Sequence, residues 1–434
     1  MLDRTLAPPV QPLARVTLPP VEVLPLPGGA RLHIIANDAQ PVVRLQVVLP
    51  AGKTAEPRPG LATLTARMLL EGTTTRTARQ IADEVAFYGA SLECEAGLDR
   101  ATLTLYCLTR YLPALLPVLA DVLANPAFPA TELAQLKTRT VQNVRVERQK
   151  TSYLATERFN ELLFGADTPY GRPFDSAAFE TLTADEARDF HRHAYHLANA
   201  EIFLCGDVAT LRGLVAETFG EAAEVAPPPA VAGTSAAAAA QFAPGAPSVL
   251  PVPGSLQASL RLGRPWPAKD HPDVHRLQLL TRVLGGYFGS RLMRNIREDK
   301  GLTYGIYAGV APREQATALV VGTDVNGDRA GFAISEIHAE LRRLQDELIP
   351  AEELATVKNY TLGKFANELA TVFEQGDKYK TLVLLGLPAD YYEQFVQQTE
   401  EADAPTLQRL AQEYLTPADW QTVVAGPAEV KVSG

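Results

Sequence analysis

The hydrophobic positions of this chain change their period several times, and each period predicts a different element. In the first half, "ARLHIIAN" (30–37) and "VVRLQVVLPAG" (42–52) have the composition of strands. Residues 60–71 have helical spacing, and so do residues 77–88, where Gly89 can end the helix. "SLECEA" and "ATLTLYCL" alternate as a hairpin, several helices follow to about residue 195, and "AEIFLCGDV" is a further strand.

The second half repeats this order of elements. A strand "ASLRLGR" precedes a helix from Asp273 to Leu284 and a helix near "SRLMRNIRE". The strands "LTYGIYAGV" and "ATALVVGTDV" follow, and then long helices at about 329–347 and 350–374. This order predicts an α+β fold of two homologous halves, each a mostly antiparallel sheet with helices packed on one face.

The two halves are separated by a segment rich in Ala, Pro, Gly and Ser without a hydrophobic period. Residues 223–255 are therefore predicted to be a linker. The predicted domains are an N-terminal half over 1–222 and a C-terminal half over 256–434.

The composition is that of a globular protein, with 434 residues, 46% hydrophobic and 21% charged. A formal net charge of −10 and the lack of a basic stripe argue against a nucleic-acid partner. Three scattered cysteines, Cys94, Cys107 and Cys205, are interpreted as buried thiols, although Cys94 and Cys107 could lie on paired strands. No apolar run has membrane-spanning length and the first residues lack a secretory apolar core, so we expect a cytoplasmic protein with no membrane partner.

The stretch "GLATLTARMLLEGT" (60–73) resembles the helix of the insulinase/pitrilysin-type zinc peptidases, which carries the inverted motif H-x-x-E-H. The similarity continues through "AFYGASLECEAG" and "RHAYHLANAEIFLCGDV", and in the second half through "GSRLMRNIREDKGLTYGIYA" and "PAEELATVKNYTLGKF". The resemblance covers nearly the whole chain apart from the termini and the linker. The order and spacing of the stretches together carry it. The resemblance implies the fold of LuxS/processing-peptidase-like metallopeptidases.

The catalytic residues of that family are replaced in this chain. Thr63 stands at the first histidine, Ala66 at the glutamate and Arg67 at the second histidine. Two imidazoles at i and i+4 bind zinc, and the carboxylate takes a proton from the metal-bound water. A neutral hydroxyl, a methyl group and a permanent cation do none of this.

The further glutamate ligand of the family belongs to a later helix, where the count along the chain reaches Asn143. Glu147, one turn beyond, is the nearby carboxylate and does not fall in register. We therefore expect no metal and no cofactor in this chain. Arg67 could still hold a peptide carbonyl or carboxylate with its charge.

A second family signal is the pair Arg297 and Tyr304 in "IREDKGLTYGIY". In the family, an arginine and a tyrosine at this spacing reach towards the zinc site, hold the peptide backbone and stabilise the oxyanion. Their chemistry suits that role, because both can donate hydrogen bonds to a charged oxygen. The alternative interpretation pairs Arg297 with Glu298 or Asp299 and half-buries Tyr304 in a strand.

Other candidate motifs are interpreted as structural. His191, His193 and His196 have the wrong period for a tight metal site. His271 and His275 are spaced i, i+4 near a helix start and are also interpreted as structural. The glycine-rich "GGYFGS" follows a helix pattern, which is the wrong context for a dinucleotide site.

The resemblance implies a zinc-free subunit of a two-chain metalloendopeptidase, similar to the partner chain of heterodimeric processing-peptidase-like bacterial enzymes. It would be inactive alone and supply Arg297 and Tyr304 to a homologous zinc-bearing subunit that acts on peptides or unfolded proteins. A non-enzymatic scaffold or peptide-binding protein is the first alternative. An active peptidase that uses Glu147 and a stray histidine is the second.

Overall fold

The computed structural model describes residues 17–220 and 242–428, and its first half is built on a six-stranded sheet. The strands are β1 (Glu22–Pro25), β2 (Arg31–Ala36), β3 (Val42–Leu49), β4 (Ser91–Ala96), β5 (Ala101–Leu108) and β6 (Glu201–Gly206). Their order is β1-β2-β6-β3-β5-β4. Only the β2–β6 pair of this sheet is parallel.

A five-stranded sheet organises the second half in the same way. Its strands are β7 (Ser248–Pro251), β8 (Gln257–Trp266), β9 (Ile306–Pro312), β10 (Thr317–Asn326) and β11 (Gln421–Gly426), in the order β7-β11-β8-β10-β9. This order reproduces β2-β6-β3-β5-β4, and the first pair is again the parallel one. The prediction of an α+β fold with two similar halves is confirmed.

The helices of the first half follow the predicted segments closely. They are α1 (Leu61–Met68), α2 (Ala78–Phe87), α3 (Leu112–Ala124), α4 (Ala130–Glu147), α5 (Thr151–Phe164), α6 (Ser176–Thr181), α7 (Ala184–Ala194) and α8 (Arg212–Phe219). The start of α2 is defined by a capping box, in which the Thr77 hydroxyl and the Gln80 side chain each bond the other residue's backbone N–H.

The helices of the second half differ from the prediction after residue 367. They are α9 (Val274–Gly285), a π-helix (Met293–Asp299), α10 (Ala330–Asp346), α11 (Ala351–Asn367), α12 (Val372–Leu385), α13 (Tyr391–Glu401) and α14 (Ala404–Tyr414). The predicted single helix over 350–374 is wrong, because α11 ends at Asn367 and a capping box of Thr371 with Glu374 starts α12.

Each sheet is covered on its second face by a helix from the other half. Helix α5 packs against β8 and β11, where Phe159 joins Val423 and Ala425 in a small core of its own. In return, α12 packs against β6 and β2 of the first sheet. An added Cβ at Gly376 would lie 2.6 Å from the Cys205 sulfur, so a glycine is required for this close approach.

Part of the predicted linker belongs to the second sheet. Residues 221–241 lie outside the described residues, but Ser248–Pro251 forms β7 and pairs with β11. The linker prediction over 223–255 is therefore wrong for its last part. Two prolines delimit this short edge strand, which hides the strand pattern in the sequence.

All three cysteines are buried free thiols, as predicted. Cys94 on β4 stands opposite Leu103 rather than Cys107. Among the described residues, no helix combines the length and apolarity that crossing a bilayer requires.

Candidate functional site

Helix α1 carries the three residues that are predicted to replace the metal motif, and they differ in burial. Ala66 is fully buried in the first core, Thr63 is half-buried and Arg67 is exposed. Gly60 precedes the helix with a φ of 87°, a conformation that favours glycine. The Glu56 carboxylate accepts the Ala62 N–H at 3.0 Å at this helix end, and burial raises its pKa.

Helix α4 lies beside α1, where the resemblance expects the further ligand. The Arg67 guanidinium donates a 3.3 Å hydrogen bond to the hydroxyl of Thr140 on α4. Asn143 follows one turn later and is exposed. Glu147 lies at the end of α4 and forms a 2.5 Å ion pair with Lys150, so it is already engaged.

The donor set at these positions does not fit zinc. Thr63, Ala66, Arg67 and Asn143 offer a hydroxyl, a methyl group, a cation and an amide, where zinc prefers imidazole, thiolate or carboxylate. Within residues 17–220 and 242–428, no group of three or more His, Cys, Asp or Glu side chains is arranged to hold a metal ion. The chemistry of α1 and α4 therefore provides no hydrolytic centre of the family type.

The histidine-rich segment at the end of α7 is structural. The His191 Nε2 donates to the Leu123 carbonyl at 2.8 Å, and the His193 Nδ1 lies 2.6 Å from the Asp189 carbonyl oxygen. Burial lowers the pKa of His191. Each of these bonds fixes the ring that makes it, and no metal-holding group of described residues includes these histidines.

Arg297 and Tyr304 come together in the second half. The guanidinium carbon of Arg297, on the π-helix, lies 5.1 Å from the centre of the Tyr304 ring and 4.6 Å from the centre of the Phe288 ring. Phe288 is 60% exposed and Tyr304 is 90% exposed. The three side chains therefore form an open cation–π cluster at the surface.

The loop that carries Tyr304 is tied to the neighbouring strand. The Thr303 hydroxyl donates to the Asp324 carbonyl at 2.7 Å, and the Thr323 hydroxyl donates to the Gly305 carbonyl at 2.9 Å. Strand β9 begins only at Ile306, so Tyr304 lies outside the strand. These bonds hold the backbone on both sides of Tyr304 while its ring projects into solvent.

The structural alternative for this pair is wrong on both counts. Within the part of the chain that the structure describes, Arg297 forms no ion pair with Glu298, Asp299 or any other acid, and Tyr304 is not half-buried. The cluster lines a cleft of about 740 Å³ together with Tyr287 and Asp324. A guanidinium and a phenol that are both free to donate suit a carbonyl oxygen or an oxyanion in this cleft.

Phe288 is a site residue that the sequence interpretation missed. In the sequence its stretch stands out only as a glycine-rich motif, whereas in the structure its ring is one of two that stack on Arg297. The sequence contains one signal for this role. Phe288 lies nine residues before Arg297, in a segment with glycines on both sides. The exposure of the ring is known only from the structure.

The two groups of site residues remain separate in this chain. Thr63, Ala66, Arg67 and Asn143 lie on α1 and α4 of the first half, whereas Arg297 and Tyr304 lie in the second half. No hydrogen bond, ion pair or ring contact between described residues links the two groups.

Comparison with known proteins identifies the class. A family model described as "Insulinase (Peptidase family M16)" matches residues 32–168, and one described as "Peptidase M16 inactive domain" matches residues 181–361. Together the two models cover more than half of the chain. The chain belongs to the insulinase family of peptidases, family M16.

Individual relatives carry both peptidase and non-peptidase descriptions. An "uncharacterized zinc protease" of Rickettsia bellii is 25% identical over 302 residues, which cover 67% of this chain and 69% of the relative. The "non-peptidase homolog YmxG" of Helicobacter pylori is 23% identical and covers 79% of this chain and 78% of its own length. The crystal structure of a peptidase M16 inactive domain from Pseudomonas fluorescens has a TM-score of 0.82 at 25% identity, covering 95% of this chain and 99% of that chain.

Proposed function

We propose that this chain is the zinc-free subunit of a two-chain metalloendopeptidase. In the complex, a homologous subunit with an intact H-x-x-E-H motif provides the zinc centre. This chain contributes Arg297 and Tyr304, which bind the peptide carbonyl and stabilise the developing oxyanion. The substrate is a peptide or an unfolded protein.

The observation that carries this proposal is the state of the Arg297–Tyr304 pair. Arg297 has no acid partner among the described residues, and its charge is held over two exposed rings at 4.6 and 5.1 Å. Arg297 and Tyr304 form a preorganised pair of hydrogen-bond donors beside an open cleft, whereas α1 of this chain has no metal donors. Such a pair is suited to act on a substrate that is bound at the zinc centre of another subunit.

The direct test combines the purified chain with a homologous zinc-bearing subunit and follows hydrolysis of a quenched fluorescent peptide. The isolated chain is expected to hydrolyse nothing, and the mixture is expected to show chelator-sensitive activity. Arg297→Ala and Tyr304→Phe should each lower kcat/KM by about tenfold to a thousandfold without changing the mass of the complex. Chelator-sensitive cleavage by the chain alone would contradict the proposal.

Two exposed residues outside the cleft provide controls for these substitutions. Arg294 lies on the same π-helix and is exposed, and Tyr106 is a 39% exposed tyrosine on β5. Arg294→Ala and Tyr106→Phe should leave kcat/KM within about twofold of the unmodified complex. If they lower activity as much as the cleft variants, the role assigned to Arg297 and Tyr304 is wrong.

A non-enzymatic scaffold or peptide-binding protein is the second candidate, favoured by the relative described as a non-peptidase homolog. In that case the cleft would bind peptides without a catalytic partner. A stable homodimer that binds an unfolded peptide but never associates with a zinc-bearing relative would support this second function over the first.

A further inference from the structure

A second cavity lies in the helical layer of the second half, outside the Arg297–Tyr304 cleft. It has a volume of about 420 Å³ and lies between α9, α11, α12 and α13, beside the ends of β8 and β9. This volume is in the range of small-molecule sites. No residue of the proposed peptidase function lines it.

The cavity is cationic although the protein as a whole is acidic. Four basic side chains line it, and they belong to Lys269, Arg282, Lys364 and Lys378. Glu368 is the one carboxylate among its described lining residues. Glu368 pairs with Lys378 at 2.6 Å and lies 3.9 Å from Lys364, so one negative charge serves two ammonium groups.

Arg282 has no partner in this arrangement. Its guanidinium is half-buried and forms no hydrogen bond or ion pair with any described residue. Burial lowers its pKa, which means that its charge is poorly solvated where it stands. The nearby Glu368 charge opposes this shift, but Glu368 already serves two ammonium groups, so an anion placed beside Arg282 would offset the remaining cost of burying its guanidinium.

The remaining walls are apolar and aromatic. Phe365, Tyr392 and Phe395 contribute rings, and Leu277 contributes a fully buried side chain. The Lys378 ammonium lies 5.8 Å from the Phe365 ring centre and 5.9 Å from that of Tyr392. A ligand that reaches the basic groups must therefore place carbon atoms against these rings.

We propose that this cavity binds a small organic anion that combines one carboxylate with an apolar body. The carboxylate pairs with the Arg282 guanidinium in a bidentate manner, assisted by Lys378, and the body packs against Phe365 and Tyr392. Glu368 disfavours a ligand with several negative charges, because its carboxylate lies in the same cavity. The net charge of −10 opposes polyanions at longer range.

The test is isothermal titration calorimetry of the full chain with three probes. Sodium naphthalene-2-carboxylate and sodium decanoate have the proposed chemistry, and naphthalene-2-carboxamide is the uncharged counterpart of the first. We expect the carboxylates to bind with a dissociation constant below about 1 mM and the carboxamide to bind at least about tenfold more weakly. If neither carboxylate binds at millimolar concentration, or if the carboxamide binds equally well, the proposal is wrong.

Substitutions connect binding to the cavity. Arg282→Met should weaken naphthalene-2-carboxylate binding at least about tenfold, and Lys378→Met should weaken it less. Arg276 lies on the same helix, pairs with Asp273 and does not line the cavity, so Arg276→Met is the matched control and should bind as the unmodified chain does. Unchanged affinity in both cavity variants would overturn the assignment, and their melting curves verify that each is folded.

Discussion

Arg44 on β3 holds both carboxylate oxygens of Asp377 on α12 at 3.0 Å, although 333 residues separate the two in sequence. The same guanidinium donates a 2.9 Å hydrogen bond to the Phe373 carbonyl. The Arg44 side chain is 14% exposed and that of Asp377 is 47% exposed, so the contact is partly shielded from water. These bonds connect α12 of the second half to the sheet of the first half.

The first prediction concerns this contact between the halves. Arg44→Met should lower the free energy of unfolding by about 2 kcal/mol, because it removes two hydrogen bonds to the Asp377 carboxylate and one to the Phe373 carbonyl. Urea denaturation measures the change. Arg79→Met removes an ion pair whose side chains are 90% and 71% exposed, so it should cost less than about 0.5 kcal/mol. Equal losses in the two variants would mean that α12 is not fastened by Arg44.

The second prediction concerns the lost metal motif. Ala66→Glu places a carboxylate at the position predicted to align with the family glutamate, but Ala66 is fully buried in the hydrophobic core of the first half. The variant should lose about 3 kcal/mol of stability in urea denaturation. Arg67→Gln changes the exposed neighbour and should cost less than about 1 kcal/mol. An Ala66→Glu protein as stable as the parent would show that the core around α1 accommodates a carboxylate.

The third prediction is a pH dependence from His275. This ring is 1% exposed, and neither nitrogen has a hydrogen-bond partner among the described residues. Burial lowers its pKa from 6.5 to about 4. The unfolded chain therefore binds the proton more readily than the folded one, so stability is complete above pH 6.5 and decreases as the pH falls towards 4.

Urea denaturation at pH 7 and pH 5 measures this effect. Between pH 7 and pH 5, the free energy of unfolding of the unmodified chain should fall by about 2 kcal/mol more than that of His275→Phe. His193 is exposed, and His193→Gln should keep the pH dependence of the unmodified chain. If His275→Phe and the unmodified chain lose the same amount, buried His275 is not the source of acid sensitivity.

The fourth prediction concerns the planar shape of the Arg297 guanidinium. In the complex with a zinc-bearing subunit, Arg297→Lys should lower kcat/KM at least about tenfold, because an ammonium group keeps the charge but loses the fork and the stacking on Tyr304. Arg294→Lys is the control and should be neutral. Full activity in Arg297→Lys would mean that charge alone is required.

Local pattern was sufficient for a large part of the fold. The helical spacing of residues 77–88 and the alternation in "ATLTLYCL" each correspond to an observed element, α2 and β5. The sequence also predicts the loss of the metal motif, because a hydroxyl, a methyl group and a guanidinium lack zinc-binding chemistry wherever they are placed. The repeated order of elements predicted two similar sheets, and five strands of each sheet share one spatial order that the sequence did not predict.

What the sequence by itself determined was most of the elements, their duplication and the residue types that α1 carries. Only the tertiary structure decided that α5 and α12 cover each other's sheets, that β7 arises from a proline-bounded stretch, and that Tyr304 and Phe288 are exposed around Arg297. The physical reason is the distance along the chain over which each interaction acts. Helix and strand periods are set by neighbours a few residues apart, whereas burial and the pairing of Arg44 with Asp377 depend on segments brought together only when the chain folds.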